Sequence, residues 1–268
     1  MSNVVAFALQ PLFGVLVDRL KAHFSAIVFG MSVMGIGLVS FSSQPILALT
    51  MIAVGSAMIH VGAGALSSLA TPKKSIGAAL FAAPGVIGLT LGTLAAMQSF
   101  SMIPILITIT IILVVILIIV KNNTHASSIM VPMTAHSSQL SIHSILIIGA
   151  LVLFVASRST LWLHQSASSL LPMILAFGIA AGIGKLAGGI FADRFGRMPT
   201  TIIATVFALL CFLEGSIVMT IIGIFALQSS TSIILSSAVQ RFPRHAGTVA
   251  GLILGFGLAL AGVMQFIK

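Results

Sequence analysis

The chain has 268 residues, of which 59% are hydrophobic and only 6% are charged. Soluble globular domains carry about a quarter charged residues, so a soluble fold of this length is excluded. The net charge is +9, but the basic residues stand singly or in pairs between apolar runs. This distribution is typical of membrane loops and not of a nucleic-acid surface. We therefore predict the lipid bilayer as a partner, and no nucleic acid.

Long, continuous apolar runs such as 103–120 predict membrane-spanning helices. A transmembrane β-strand would instead alternate apolar and polar residues over roughly ten positions. We predict an all-α polytopic membrane helix bundle of about ten helices, each close to the length that a bilayer requires. Their expected bounds are 2–17, 24–41, 46–69, 76–97, 103–120, 145–163, 170–192, 200–214, 217–240 and 247–267.

One long polar stretch, 121–144, divides the predicted helices into two equal groups. It predicts an N-terminal helical half over 1–120, a cytoplasmic linker over 121–144 and a C-terminal helical half over 145–268. Lys and Arg concentrate in the connections on one side, which the positive-inside rule assigns to the cytoplasm of a cell membrane, with both termini outside. The basic residues of these connections are Arg19, Lys21, Lys73, Lys74, Lys121, Arg194, Arg197, Arg241 and Arg244.

A short motif at a helix end occurs twice, and its Gly, Asp and Arg recur 175 positions later. A second pair follows in the same order, because a Pro with one or two basic residues precedes a glycine-rich helix at 72–74 and again at 243–244. This order predicts two parallel repeats related by an axis along the membrane normal. The motif residues are Gly14, Asp18 and Arg19 in the first copy, and Gly189, Asp193, Arg194, Gly196 and Arg197 in the second.

Each residue type of the motif has a physical role. A glycine beside a tight loop lets two helices approach closely. The aspartate can accept hydrogen bonds from the N-terminus of a neighbouring helix, where the helix dipole favours an anion. The arginine can hold a partner carboxylate or backbone carbonyls. Such a clasp would lock one side of a carrier and break when the two halves rock. The alternative interpretation is a solvated Asp–Arg pair in a loop.

The second copy, GKLAGGIFADRFGR at 184–197, resembles the inside-loop signature of the major facilitator superfamily. The first copy is similar but lacks the second glycine and the closing arginine. Within that superfamily the chain is most similar to fosmidomycin-resistance-type exporters, on the stretch QPLFG at 10–14, the region of His60, and 243–256. The superfamily has twelve helices and its signature follows the second, whereas here it follows the first. We therefore expect the chain to correspond to helices two to eleven.

This resemblance implies a secondary active transporter. It implies an exporter or antiporter that moves a small polar or anionic solute by alternating access, with coupling to protons as a further expectation. A truncated membrane protein that does not transport is the alternative. The sequence has no nucleotide-binding loop, zinc-ligand spacing or catalytic triad, so we predict no enzyme, no cofactor and no metal site.

Arg158 and His60 are the candidate solute-binding residues. Arg158 lies within an apolar helix, where an uncompensated charge is costly, and its planar fork suits an anionic group. The alternative is an arginine that snorkels to the outer interface. His60 lies beside Gly62 and Gly64, matches a histidine of the family pattern, and can carry a proton near neutral pH. Its alternative role is that of a hydrogen-bonded packing histidine.

Lys185 and the helix glycines are assigned structural roles. Lys185 lies about two turns from the inside end of its helix, where we expect it to snorkel to the inner headgroups. We expect two sets of glycines to serve close helix packing, and these are Gly85, Gly88 and Gly92 after Pro84, and Gly251, Gly255, Gly257 and Gly262.

Overall fold

The computed structural model describes residues 2–97, most positions between 104 and 115, and residues 142–167 and 171–264. This described part is helical almost throughout and contains no β-strand. The positions described between 104 and 115 are helical, while the rest of the predicted helix 103–120 and the linker up to residue 141 lie outside the described residues. The long helices are α1 (Ser2–Leu20), α2 (His23–Val39), α3 (Pro45–Leu69), α4 (Ile76–Met97), α5 (Ile142–Ala167), α6 (Leu171–Phe195), α7 (Arg197–Glu214) and α8 (Ile217–Arg241).

The last described helix, α9, changes its winding along its length. It is α-helical over Ala246–Ala250, π-helical over Gly251–Phe256 and α-helical again over Gly257–Met264. The π-helical part lies against α1 at backbone distance, because a Cβ added at Gly251 would come within 2.5 Å of the Gln10 carbonyl oxygen. Single π-helical turns inside α-helices occur often at functional sites.

Within the described residues, eight helical segments are long and apolar enough to cross a membrane. The protein is therefore a multi-pass membrane protein built as a helix bundle. These segments are His23–Ser42, Pro45–Leu69, Ile76–Ala95, Ile142–Ser159, Pro172–Phe195, Arg197–Glu214, Ile217–Arg241 and Pro243–Ala261.

Two helix pairs make the most extensive contact between the part before residue 120 and the part after residue 142. α1 packs along α9, and α4 packs along α6. α2 and α1 pack on α3, whereas α6 and α7 pack on α8, which is the most buried of the membrane-crossing helices. The largest buried apolar cluster surrounds α8 and α9 and includes Leu235, Val239, Phe242, Val249 and Ile253.

Several predicted helix boundaries differ from the structure by a few residues; for example, α6 continues to Phe195 and α7 begins at Arg197. α1 continues to Leu20 instead of ending at 17, so Asp18 lies in its last turn rather than in a loop. α5 begins at Ile142, within the predicted linker 121–144. Polar residues such as His143 and Ser144 do not end a helix when apolar residues follow them without interruption.

The predicted packing role of the glycines is met by the described members of one set, whereas the other set has no described neighbour. Gly255 lies against the backbone of Phe7, and Gly257 lies against Val155 of α5. Gly85, Gly88 and Gly92 instead have no described atom within 4 Å of the position of an added Cβ, so this face of α4 is open in the described part of the bundle. Gly262 lies outside the residues whose side-chain surroundings are described.

Candidate functional site

Four interhelical connections meet at one end of the bundle. They are residues 18–23, 71–75, 193–199 and 241–246, and we call this region the basic end because it carries most of the loop Lys and Arg residues. Hydrogen bonds join the first connection to the fourth, and the second to both the third and the fourth. This arrangement places on one end the loops that the distribution of Lys and Arg assigned to one side of the membrane.

One set of hydrogen bonds joins the end of α1 to the start of α9. We call it the first clasp, and it consists of Asp18, His23, Gly247 and Thr248. The Asp18 carboxylate accepts hydrogen bonds from the Gly247 amide at 2.8 Å and from the Thr248 amide at 2.7 Å. The Thr248 hydroxyl donates to it at 2.6 Å, and the His23 Nε2 at 3.0 Å. A carboxylate with charge-assisted bonds at a helix N-terminus is a strong, orienting contact.

The carboxylate of this first clasp is removed from water. The side chain of Asp18 is 6% exposed and that of His23 is 8% exposed. Burial by itself raises the pKa of Asp18, but the hydrogen bonds from His23, Thr248 and Gly247 stabilise the ionised form and lower the pKa of this carboxyl below its usual value. The first clasp is therefore held by an ionised aspartate at neutral pH.

Gly14 is the position that brings the first clasp together. A Cβ added there would lie 2.5 Å from the Gly247 carbonyl oxygen and 2.6 Å from the Thr248 Cα. These are backbone atoms, which cannot swing aside as a flexible side chain can. Only glycine allows α1 and α9 to approach closely enough for Asp18, one turn later, to reach the amides of α9.

The second clasp joins the end of α6 to the start of α4. The Asp193 carboxylate accepts hydrogen bonds from the Ser75 amide at 2.5 Å and from the Ile76 amide at 3.2 Å. Gly189 lies one turn earlier, and a Cβ there would meet the Cβ of Ala79 at 2.5 Å. The pattern of the first clasp thus recurs, although here the aspartate is exposed.

A polar network extends the second clasp to α8. The Arg197 guanidinium donates from Nε to the Ser75 hydroxyl at 3.1 Å and from Nη2 to Gln240 Oε1 at 2.8 Å. The Gln240 side chain in turn closes the α3–α4 connection, since its Nε2 lies within hydrogen-bond distance of three carbonyl oxygens. They belong to Ser68 at 2.9 Å, Thr71 at 3.0 Å and Lys74 at 2.8 Å.

The other two arginines of the motif play a smaller part than expected. Arg19 is exposed and makes no hydrogen bond to a described residue. Arg194 is also exposed, and its guanidinium carbon lies 5.5 Å from the centre of the Phe195 ring. The expectation that they hold a carboxylate or carbonyls is not met in this structure. The contacts to other helices are made instead by Arg197, which reaches Ser75 and Gln240, while His23 donates to Asp18 within its own connection.

Arg158 of α5 lies inside the bundle and does not snorkel. Only 5% of it is exposed, and its Nη1 donates to Gln228 Oε1 of α8 at 2.7 Å. The Thr231 hydroxyl donates to the same oxygen at 3.1 Å. The Arg158 Nε has no hydrogen-bond partner within the described structure. A buried guanidinium with an unused donor is a candidate anion-binding group.

His60 of α3 lies in an aromatic setting. Its Nδ1 is 2.8 Å from the Ser56 carbonyl oxygen, which requires the hydrogen on Nδ1 and leaves Nε2 as an acceptor. The ring meets Phe7 edge-on at 6.4 Å between centroids, and Phe81 at 6.0 Å. These contacts fit a packing histidine, while the unused Nε2 is also suited to hold a proton or a solute.

Lys185 of α6 points into the bundle, contrary to the prediction that it snorkels. Its Nζ lies 3.4 Å from the Ala82 carbonyl oxygen of α4. It is near enough to Arg158 and His60 for the charges to interact. Lys185 stands between Gly182 and Gly189, which lie against Ile87 and Ala79 of α4, so its side chain emerges on the face that packs against α4.

No carboxylate accompanies this basic cluster, which consists of the buried Arg158 and the half-buried Lys185 and His60. The chain has three acidic residues in all. Asp18 and Asp193 form the clasps at the basic end, and Glu214 accepts a hydrogen bond from the Ser216 hydroxyl at the end of α7. The cluster is therefore a site of positive charge whose counterion the chain itself does not supply.

Several of these residues were missed by the sequence reasoning. Gln228 carried a detectable signal, since an amide in the middle of a membrane helix is expected to serve a polar contact. Gln10 carried the same signal, and it is fully buried with neither amide atom paired to a described residue. His23, Thr248 and Gln240 carried none, because their roles depend on helices far away in sequence.

The comparisons with known proteins assign no family. No protein-family model matches the chain. No curated protein matches it either.

Proposed function

We propose that this protein is a secondary active transporter of the major facilitator type, which exports a small polar or anionic solute by alternating access. The two clasps are the observation that carries the proposal. Each joins a helix before residue 120 to a helix after residue 142, and both lie at the same end. A protein that rocks two halves about a central site needs contacts of this kind, formed in one state and broken in the other.

The clasps are suited to be broken and remade. Each adds one carboxylate and a few hydrogen bonds at a helix N-terminus to the packing of two helices, and water can replace these hydrogen-bond partners when the end opens. A solute shifts the equilibrium between the closed and the open state by the difference between its binding free energies to the two states. A difference of a few kcal/mol is enough to change the populations substantially. The basic cluster of Arg158, Lys185 and His60, on α5, α6 and α3, supplies a place for an anion.

The first test concerns the gating role of Asp193. Asp193→Asn keeps the shape of the side chain but removes its charge, so we expect the basic end to open more often. Flux of inorganic phosphate, sulfate and small carboxylates into proteoliposomes should fall several-fold while the amount of folded protein is unchanged. Glu214→Gln is the matched control, because it makes the same exchange at an acid outside both clasps.

The opening itself can be measured independently of the solute. Spin labels on cysteines at Lys21 and Arg244, in the two connections of the first clasp, should report a short distance that lengthens in Asp193→Asn. Unchanged flux and an unchanged distance distribution in the folded variant would reject the gating role. Failure of the parent protein to move any of the probes, with or without a proton gradient, would count against transport of anions.

The second test concerns Arg158. We expect Arg158→Ala to abolish binding of the anionic probes while the protein stays folded, and Arg158→Lys to restore binding only partly. An ammonium supplies charge but not the two parallel donors of a guanidinium. Anion binding that survives in Arg158→Ala would show that this residue only anchors α5 to Gln228.

A further inference from the structure

Two basic side chains share the interior of the bundle without an acid. Arg158 and Lys185 interact electrostatically, and all three carboxylates of the chain are engaged elsewhere. A buried ion costs several kcal/mol even after the protein relaxes, and a second like charge nearby adds to that cost. A neutral amide such as Gln228 offsets only part of it. The cluster therefore favours a ligand that brings negative charge.

Arg158 and Lys185 both have a hydrogen-bond contact with α8. The Arg158 guanidinium donates to Gln228, while the Ser232 hydroxyl donates to the Lys185 carbonyl oxygen at 2.7 Å. Gln228 and Ser232 are one helical turn apart, which corresponds to about 6 Å along the axis. The Arg158 guanidinium and the Lys185 backbone thus contact the same helix one turn apart, and the Lys185 side chain starts from this level.

Both side chains also have donor capacity left. The Arg158 Nε is unpaired in the described structure, and the Lys185 Nζ has a single, long contact of 3.4 Å to the Ala82 carbonyl oxygen within the described residues. His60 is the other titratable group that interacts with Lys185. α4 contributes no ionisable residue, and α8 contributes only Arg241 at its far end. No acidic side chain on these elements competes with a bound anion.

We propose that Arg158 and Lys185 form a two-point site for a small dianion, of the class of doubly ionised oxyanions and short dicarboxylates. This proposal rests on the proposed function, and it adds Lys185 and the charge of the solute. The guanidinium binds one anionic group through two donors, and the ammonium binds the second charge as a point. A monoanion would leave one buried cation without a counterion, so the site distinguishes ligands by charge.

The test measures the binding of small anions to the purified full chain in detergent by calorimetry at constant ionic strength. The probes are sulfate and succinate as dianions, and chloride and acetate as monoanions. We expect the dianions to bind at least about tenfold more tightly, the equivalent of one extra charge-assisted contact. Lys185→Gln should remove this preference, Lys185→Arg should keep it, and Arg158→Gln should weaken binding of both classes.

Lys74→Gln is the matched control, because it removes one positive charge at the basic end, far from the cluster, and should leave every affinity unchanged. Should Lys185→Gln not fold, Lys185→Met keeps the long apolar stem and removes only the charge. Its retention of the dianion preference would overturn the proposal.

The possible failures are distinguishable. Equal affinity for monoanions and dianions, unaffected at position 185, would reject the two-charge site while the Arg158 site and the transport proposal stand. Dianion binding that depends on Lys185, without flux in proteoliposomes, would support this site and reject the proposed function. No binding of any probe to the folded parent chain would reject both.

Discussion

The two clasps use the same two residue types, a glycine and an aspartate, in different surroundings. In both, a glycine allows close helix approach and an aspartate one turn later accepts hydrogen bonds from a helix N-terminus. Asp18 is nearly buried and has four hydrogen bonds. Asp193 is exposed and has two, both from backbone amides.

The difference shows which contacts stabilise each clasp. In the first, the carboxylate is the centre, and the loss of its charge would leave buried donors unpaired. In the second, Arg197 and Gln240 hold the α3–α4 connection independently of the aspartate. The same motif therefore provides one clasp whose strength depends on a single group and another that shares its bonds among several.

The largest expected effect is that of Asp18→Ala. It leaves the Gly247 and Thr248 amides and the Thr248 hydroxyl without their acceptor, so we expect a loss of about 2–4 kcal/mol in the free energy of unfolding. Thermal unfolding of the purified protein measures it. Asp193→Ala is the comparison, and an equal loss in the two variants would contradict the difference between the clasps.

The first clasp should also respond to acid. Because the pKa of Asp18 is lowered in the folded protein, the ionised carboxylate stabilises the fold above its ordinary pKa of 3.8. That contribution is lost as the pH falls through the lower, folded pKa. The melting temperature of the parent should thus fall below about pH 4 more steeply than that of Asp18→Asn. Parallel curves for the two proteins would exclude this role.

Next in size are the glycine substitutions. Gly14→Ala sets a methyl group against the backbone of α9, and we expect it to cost about 1–3 kcal/mol by forcing the helices apart. Gly189→Ala meets a side-chain methyl, that of Ala79, as its nearest obstacle. Thermal unfolding of Gly14→Ala and Gly189→Ala would test whether contact with backbone makes the loss of stability larger at position 14 than at position 189. Gly88→Ala, on a face of α4 with no described neighbour, is the neutral control.

A smaller effect is expected for the second aspartate. Asp193→Ala removes a cap from the N-terminus of α4, and since the aspartate is exposed and its bond to the Ile76 amide lies at the surface we expect a loss of about 1 kcal/mol. The double variant Asp193→Ala with Gln240→Ala should lose more than the sum of the two single changes if Gln240 compensates for the aspartate. Simple additivity in a thermal double-mutant cycle would show that the two contacts are independent.

The smallest effect concerns the turns that follow the motifs. Lys21 and Gly196 stand 175 positions apart and both have positive φ, 52° and 96°. A lysine in the left-handed region is strained, whereas a glycine is not. We expect Lys21→Gly to raise the free energy of unfolding by about 0.5 kcal/mol, after the entropy of glycine in the unfolded chain is subtracted. A lower melting temperature would show that the Lys21 side chain contributes to the clasp.

The sequence alone determined the class of the protein and most of its helices. Few charges and long apolar runs leave only a helix bundle in a membrane, and the breaks between runs set the helix ends to within a few residues. The glycine and the aspartate of the motif were also readable, since a carboxylate that follows close-packed glycine at a helix end is suited to cap another helix. These inferences depend on local chemistry, which is present in the sequence.

Only the tertiary structure decided which helices became partners. Thr248 is 230 positions from Asp18, and nothing near either residue indicates the other. A helix of a soluble protein reveals its buried face by apolar periodicity, but a membrane helix is apolar on all sides, so the pattern does not show which side meets protein and which meets lipid. For that reason Gly85 was assigned to a packed face that no described residue meets, and Lys185 was assigned to the headgroups although it points into the bundle.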